Sequence, residues 1–459
     1  MREAILSGEM APGERILSSR ELQMHLGVSR NTVVDALSQL HAEGYLVTVR
    51  GVGTFVAENL VRRAHRSENA VKFELPADAS TYLSIEDLAS NLPHTRPFRP
   101  GVPALDLFPM VQFRRSVNAA LSGTMSLDYP DPQGEHALRE ALVQRLRQTR
   151  GMACTPDQVF ITNGTQSAFT AIARVLLTKG DAAIVEDPGY SNAHAAFLAQ
   201  GIRLHHATVD DAGVNIESFT VRRARLVYVT PSHQYPTGAV LSLDRRLALI
   251  EWAEQHDAWL VEDDYDSEFH YVGKPQPALC ALAEGQRVIY VGTLSKVLSP
   301  ALRLAYMVVP RALARTFRAY ATVAGGVPDV VLQTAVAHFF ENGYFARHIN
   351  RARKVYDQRR RFVAKAFGND KRLRVRDSGA GLHFIVQLAA SIRDRAVSAR
   401  AQQAGLIVPA LSQYYYANPA QNGIVIGYAS TAIADAEPAL KALKNVLDEV
   451  ESGRTIALP

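Results

Sequence analysis

Cysteine is nearly missing from this chain. Only Cys154 and Cys280 occur in 459 residues, and they form no CxxC pair. That excludes a disulfide scaffold and a cysteine-based zinc site, and it fits a reducing, cytoplasmic compartment. No run of about 18 apolar residues is present, so no membrane partner is expected. The opening MREAILSGEM carries acids and lacks an apolar stretch, which argues against a signal peptide. Lysine is absent from the first 60 residues. There, five arginines (Arg2, Arg15, Arg20, Arg30, Arg50) face seven acids, although the whole chain carries a net +5. Any nucleic-acid role for this segment must rest on geometry rather than bulk charge.

What is present is ordinary for a large core: 47% hydrophobic and 21% charged residues. The length allows about two to four domains. Residues 1–57 read as one compact unit. Leu17–Leu26 is a short helix with a serine N-cap, and Gly27-Val28-Ser29 is a turn. Ser29 caps a second helix running from Arg30 to about Glu43, with Val33, Ala36, Leu37 and Leu40 on its core face. Tyr45–Val49 and Thr54–Ala57 form a hairpin around Arg50-Gly51-Val52-Gly53. Residues 58–95 lose periodicity and read as a linker, with Leu83–Leu92 a helical stretch inside it. From 96 to 459, helices and strands alternate, which predicts an α/β body with a mostly parallel sheet. Two long helical stretches are expected through Arg311–Phe367. The tail reads as a smaller α+β lobe whose last helix starts at an Asp435 cap.

The first unit has the pattern of a winged helix-turn-helix. Its second helix would enter the major groove of double-stranded DNA, led by Ser29, Arg30, Asn31 and Thr32. Arg20 could reach the backbone. Arg50 and Gly51 lie on the wing, where glycine permits close approach. The competing reading is a small helical cap with solvated arginines.

Four pieces of the body carry chemistry. Gly292-Thr293-Leu294-Ser295-Lys296 follows an apolar strand. A partly desolvated lysine there suits a Schiff base, and Thr293, Ser295 and Arg303 suit a phosphate. Strand Trp259–Asp263 runs into Asp263-Asp264-Tyr265. A carboxylate there can keep a pyridine nitrogen protonated, and a phenol can bond a ring hydroxyl. Asn163-Gly164-Thr165 sits between a strand and a helix, where backbone N–H groups hold phosphate. Tyr190 follows Glu186-Asp187-Pro188-Gly189 and can stack on a flat ring. Taken singly, each has a bland reading as a surface charge, a turn or a cap. Their joint order along one α/β body points to pyridoxal 5'-phosphate.

Several other features read as structural. His205 and His206 are adjacent on a strand and point to opposite faces, so no metal is expected. Tyr414-Tyr415-Tyr416 reads as a packed loop at the edge of the small lobe, with an effector wall as the alternative. Lys354–Arg361 reads as a solvated helix face, with a DNA or dimer contact as the alternative.

SSRELQMHLGVSRNTVVDALSQLHAEGYLVTVRGVGTFV resembles the winged-helix domain of the GntR superfamily. YPDPQGEHALREAL, VEDPGYSNAHAAF, VTPSHQYPTG, VEDDYDSEFHY and GTLSKVLSPALRLAY resemble fold-type I aminotransferases. The fusion of the two resembles the MocR/GabR regulators across nearly the whole chain. Such domains carry more of the first helix before REAILSGEMAPGERI, so a shortened or misassigned start is expected. The resemblance implies that Lys296 holds the cofactor, Asp263 faces the pyridine nitrogen and Tyr265 the ring hydroxyl, with Tyr190 on the ring face. Gly164, Thr165, Thr293, Ser295 and Arg303 would surround the phosphate, next to Asn163. It also implies a transcription regulator that senses an amino compound or the cofactor itself, as a domain-swapped homodimer on an operator. The alternative is an aminotransferase with a vestigial head. Two departures bear on turnover: Tyr235 stands where aminotransferases often have Asn, and Val425 where many have a carboxylate-clamping arginine.

Overall fold

A computed structural model describes residues 1–58, 96–123, 128–221, 223–273, 276–368, 370–417 and 419–453. The linker reading and its Leu83–Leu92 helix lie outside the described residues. The chain divides into two compact units, Met1–Leu75 and Pro76–Pro459.

In the first unit, helices Arg2–Ser7, Ser19–Leu26 and Arg30–Ala42 precede a hairpin of β1 (Leu46–Val49) and β2 (Gly53–Val56). Ile5, Ile16, Leu40, Leu46 and Val56 form its core. Each of the last two helices is started by a serine. Ser18 Oγ accepts from Glu21 N, while Glu21 Oε2 accepts from Ser18 N at 2.7 Å. Ser29 Oγ accepts from Thr32 N at 3.2 Å. Each cap contributes about 1 kcal/mol to a helix too short to hold itself. β1 and β2 pair antiparallel, Leu46 opposite Val56, and Gly51 turns the chain at φ +81°. One expectation fails: Ala36 is exposed, so Val33 and Leu40 supply the buried contacts of that helix. Leu40 enters the core of the unit, with Leu37 packed against it.

The second unit is built on an eight-stranded sheet of order β3-β10-β9-β8-β7-β4-β5-β6. In chain order the strands are β3 (Val159–Thr162), β4 (Ala182–Asp187), β5 (Arg203–Asp210), β6 (Gly213–Val214), β7 (Leu226–Val229), β8 (Trp259–Asp264), β9 (Val288–Thr293) and β10 (Ala305–Val308). The stretch β9-β8-β7-β4-β5 is parallel, while β10 and β6 run antiparallel to their neighbours. Both faces are covered, so the central strands read as unbroken apolar runs. Leu226 and Tyr228 enter one core and Val227 and Val229 the other, as the two-residue strand period requires. A second, three-stranded antiparallel sheet joins β11 (Leu373–Arg376), β12 (His383–Leu388) and β13 (Gly423–Gly427).

Three further expectations change. The region 311–367 holds three α-helices, Ala314–Ala324, Val330–Glu341 and Tyr344–Phe367, rather than two. Gly325, Gly326 and Gly343 adopt positive φ at the breaks, which a continuing helix does not allow. The last helix, Ile433–Glu451, starts before Asp435, so Ala432 is its cap residue and Asp435 lies in its first turn. Thr431, beside that cap, has its hydroxyl committed to Phe98 N at 2.9 Å. Finally, Lys354–Arg361 is only partly a solvated face: Lys354, Gln358 and Arg361 are exposed, but two of its arginines are not. Arg359 is buried, donating to Ala429 O at 2.6 Å and Asp106 Oδ2 at 2.7 Å, and Arg360 pairs with Asp357 and Asp377. A run of charges on a helix does not reveal which of them have buried partners.

Candidate functional site

In open α/β sheets, ligands sit beyond the carboxyl ends of the parallel strands. The body residues singled out above gather there. β8 delivers Asp263 and is followed by Tyr265. β9 ends at Thr293 and leads to Lys296. β4 ends at Asp187, just before Tyr190.

Asp263 is buried. Its Oδ2 accepts a 2.6 Å hydrogen bond from Tyr228, while its Oδ1 has no partner. Burial raises its carboxyl to about 7, against the pull of the Tyr228 bond. Lys296 is lowered to about 8 by burial and by the Arg99 guanidinium, with Asp263 opposing. Burial therefore gives the Lys296 amine a larger neutral, nucleophilic fraction near neutrality than an ordinary lysine has, although the protonated form still dominates below about 8. A Cβ built on Gly101 would lie 3.6 Å from Lys296 Nζ.

A cradle lies beside them. Gly164 (φ +79°) caps the helix Thr165–Leu176, directing that helix's first N–H groups outward. A Cβ there would come within 3.3 Å of the Arg303 guanidinium. Arg303 is exposed, has φ +51° and reaches Asn163 O at 3.5 Å. Asn163 Nδ2 donates to Gly326 O. Thr293 Oγ1 accepts from Ser295 N at 3.1 Å, which fixes the turn leading to Lys296.

Residues outside the expected cofactor set complete the site. Tyr235 is an aromatic hub, edge-on to Tyr190 at 5.5 Å, Tyr265 at 5.9 Å and Tyr414 at 5.4 Å. Its hydroxyl meets that of Tyr414 at 3.1 Å. Tyr414 thus reaches into the site, while Tyr416 stacks on His206 at 4.8 Å. Glu186 is buried, accepts from Thr230 Oγ1 at 2.6 Å and is raised to about 7 by burial. Arg99, distant in sequence from every motif, acts electrostatically on Lys296, Tyr235 and Tyr414. No local pattern announces it. Val425 lies buried on β13 among Ile385, Leu411 and Tyr414.

In the first unit, Arg20, Ser29, Arg30, Asn31, Thr32, Arg50 and Gly51 are all exposed. Ser29 and Thr32 hydroxyls lie 2.8 Å apart, so both belong to the helix cap. Arg15 was not foreseen: a Cβ on Gly53 would fall 2.8 Å from its Nε, which places Arg15 against the wing.

Comparison with known proteins matches two parts of the chain to two families. Residues 1–56 match the bacterial regulatory proteins of the gntR family, and residues 101–443 match aminotransferase class I and II. The probable rhizopine catabolism regulatory protein MocR of Rhizobium meliloti is 34% identical, over 100% of this chain and 94% of its own length. The chain belongs to the MocR/GabR family. As a MocR/GabR protein it is a transcription regulator that joins a DNA-binding head to an aminotransferase-like body. The pyridoxine biosynthesis transcriptional regulator PdxR of Corynebacterium glutamicum is likewise 34% identical, over 94% of this chain and 90% of its own length. Among solved structures, the α-aminoadipate aminotransferase LysN of Thermus thermophilus superposes with a TM-score of 0.73 at 24% identity. That match covers 82% of this chain and 98% of LysN, and it establishes the fold of the body. Among the described residues, no helix is long and apolar enough to cross a membrane.

Proposed function

We propose that this regulator holds pyridoxal 5'-phosphate on Lys296 and reads an amino compound, or the cofactor itself, through that pocket. The observation that carries the proposal is Asp263 Oδ1, a buried acceptor without a donor. An unsatisfied buried carboxylate oxygen is costly, and a protonated pyridine nitrogen is the donor that relieves it. The Gly164–Arg303 cradle suits the phosphate: its space is kept open by a missing Cβ, and its charge is of the right sign. When bound, the cofactor supplies an electron sink at the amine carbon.

The chain's own groups have distinct tasks in this reading. Lys296 offers the amine, Asp263 keeps a proton at the ring nitrogen, Tyr265 faces the ring hydroxyl and Tyr190 the ring face. Asn163, Gly164, Thr165, Thr293, Ser295 and Arg303 surround the phosphate. Arg99, the cation beside Lys296, favours an amino compound that carries an anionic group.

The head reads a double-stranded DNA operator through Arg30, Asn31 and Thr32, with Ser29 ordering the helix end and Arg20, Arg50 and Gly51 against the backbone or groove. A homodimer reads two half-sites. Exposed Met110, Val111 and Leu121 on helix Met110–Ser122, with Tyr129 at 96% exposure, support a second copy covering that face of the body.

The purified protein should absorb in the violet, and Lys296→Ala should remove the band. A band unchanged in K296A overturns the assignment.

A further inference from the structure

Behind Tyr265 runs a chain of buried polar groups to which no task has been given. His233 Nδ1 lies 3.1 Å from Tyr265 Oη and 2.9 Å from Asp266 Oδ2. His233 sits in the loop after β7, while Tyr265 and Asp266 follow β8. His383 opens β12, its ring centre 4.9 Å from that of His233. The packing leaves no slack. A Cβ on Gly381 would fall 2.2 Å from His233 Cε1 and 2.5 Å from Asp266 Oδ2.

We propose that His233, fixed by Asp266, is a positioning residue for Tyr265 and so for the cofactor hydroxyl that Tyr265 faces. The inference rests on the pyridoxal phosphate reading. Burial raises the Asp266 carboxyl and the facing His233 opposes that shift; where Asp266 is ionised it can only accept, and the proton between the two groups then sits on Nδ1. That N–H faces both the carboxylate and the phenol oxygen. Tyr265 Oη accepts on this side, and its own O–H is left to donate into the pocket. A carboxylate behind an imidazole fixes the ring's tautomer and orientation.

His233, Asp266 and His383 also offer ligand atoms within 4.8 Å of one another, the dimensions of a metal site. Asp266, however, is already engaged by His233 and by the Leu382 backbone. Two bare nitrogens remain, His233 Nε2 and His383 Nδ1. A closed zinc site takes four ligands, so the geometry favours a hydrogen-bonded relay.

The test is the pH titration of the violet band in the holoprotein. The groups facing His233 are Asp266, Tyr265 and His383, with Arg150 and His270 across the adjoining cavity. All stay in place when His233 alone is changed. His233→Gln should move the midpoint by about one pH unit or more, in the same direction as Tyr265→Phe should. His233→Asn keeps a donor near the Nδ1 position and should restore the parent curve. The double variant H233Q/Y265F should shift no further than Y265F. A curve for H233Q that overlays the parent, or shifts that add, overturns the proposal. If H233Q fails to fold, Asp266→Asn replaces it: a smaller shift in the same direction supports the proposal and no shift overturns it. A parent curve that moves with added zinc or chelator overturns it in favour of a metal. A parent without a violet band overturns the cofactor reading and this inference with it. A Lys296-dependent band with an unmoved H233Q curve overturns this inference alone.

Discussion

Tyr228 donates to Asp263 Oδ2 at 2.6 Å and leaves Oδ1 as an open, buried acceptor. One oxygen is anchored by the sheet and the other is available to a ligand. Asp263→Asn should keep the anchor and lose the charge at the ring nitrogen. Cofactor retention should weaken by about 1–3 kcal/mol, roughly 5–150-fold in Kd, measured by equilibrium dialysis. Unchanged retention would remove Asp263 from the site.

The lowered Lys296 sets a pH dependence. The amine is protonated below about 8 and neutral above it. Capture of added pyridoxal phosphate by cofactor-free protein should therefore quicken as pH rises toward about 8 and then level. Stopped-flow absorbance checks this. A rate that still climbs steeply between pH 9 and 10, as an ordinary lysine near 10.4 would give, contradicts the burial argument.

Arg30 is exposed at the start of helix Arg30–Ala42. Arg30→Ala should cost about 1–3 kcal/mol of operator affinity and leave the violet band intact. Fluorescence anisotropy on operator DNA reads the first and absorbance the second. Equal affinity for variant and parent would move the recognition surface elsewhere, with Arg15, which lies against the wing, the next position to change.

Val425 packs among Ile385, Leu411 and Tyr414 and carries no charge. Without a bidentate cation on β13, transamination between an α-amino acid and a keto acid should be slow or absent. Rapid turnover would show that Arg99 suffices as the clamp, and would favour an enzymatic role.

The sequence by itself determined most of what is local. Ser18 and Ser29 announce their helices because a capping hydroxyl acts within three residues. Lys296 and Asp263 announce themselves because each stands at the end of an apolar strand, where an α/β sheet presents its ligands. Two helical stretches imply one break between Arg311 and Phe367, whereas the positive-φ glycines at 325–326 and 343 make two. Ala36 was misplaced because a helical stripe does not say how wide the core beneath it is. The tertiary structure alone decided the contacts between distant segments. Arg99 and Gly101 reach Lys296 from nearly two hundred residues upstream. Tyr414 meets Tyr235 across 179 positions, and His233 meets Asp266 across 33. Arg359 is buried because Asp106 and Ala429 come to it from opposite ends of the body. Spacing encodes neighbours along a helix or strand, whereas partners brought together by chain closure leave no periodic trace in the sequence.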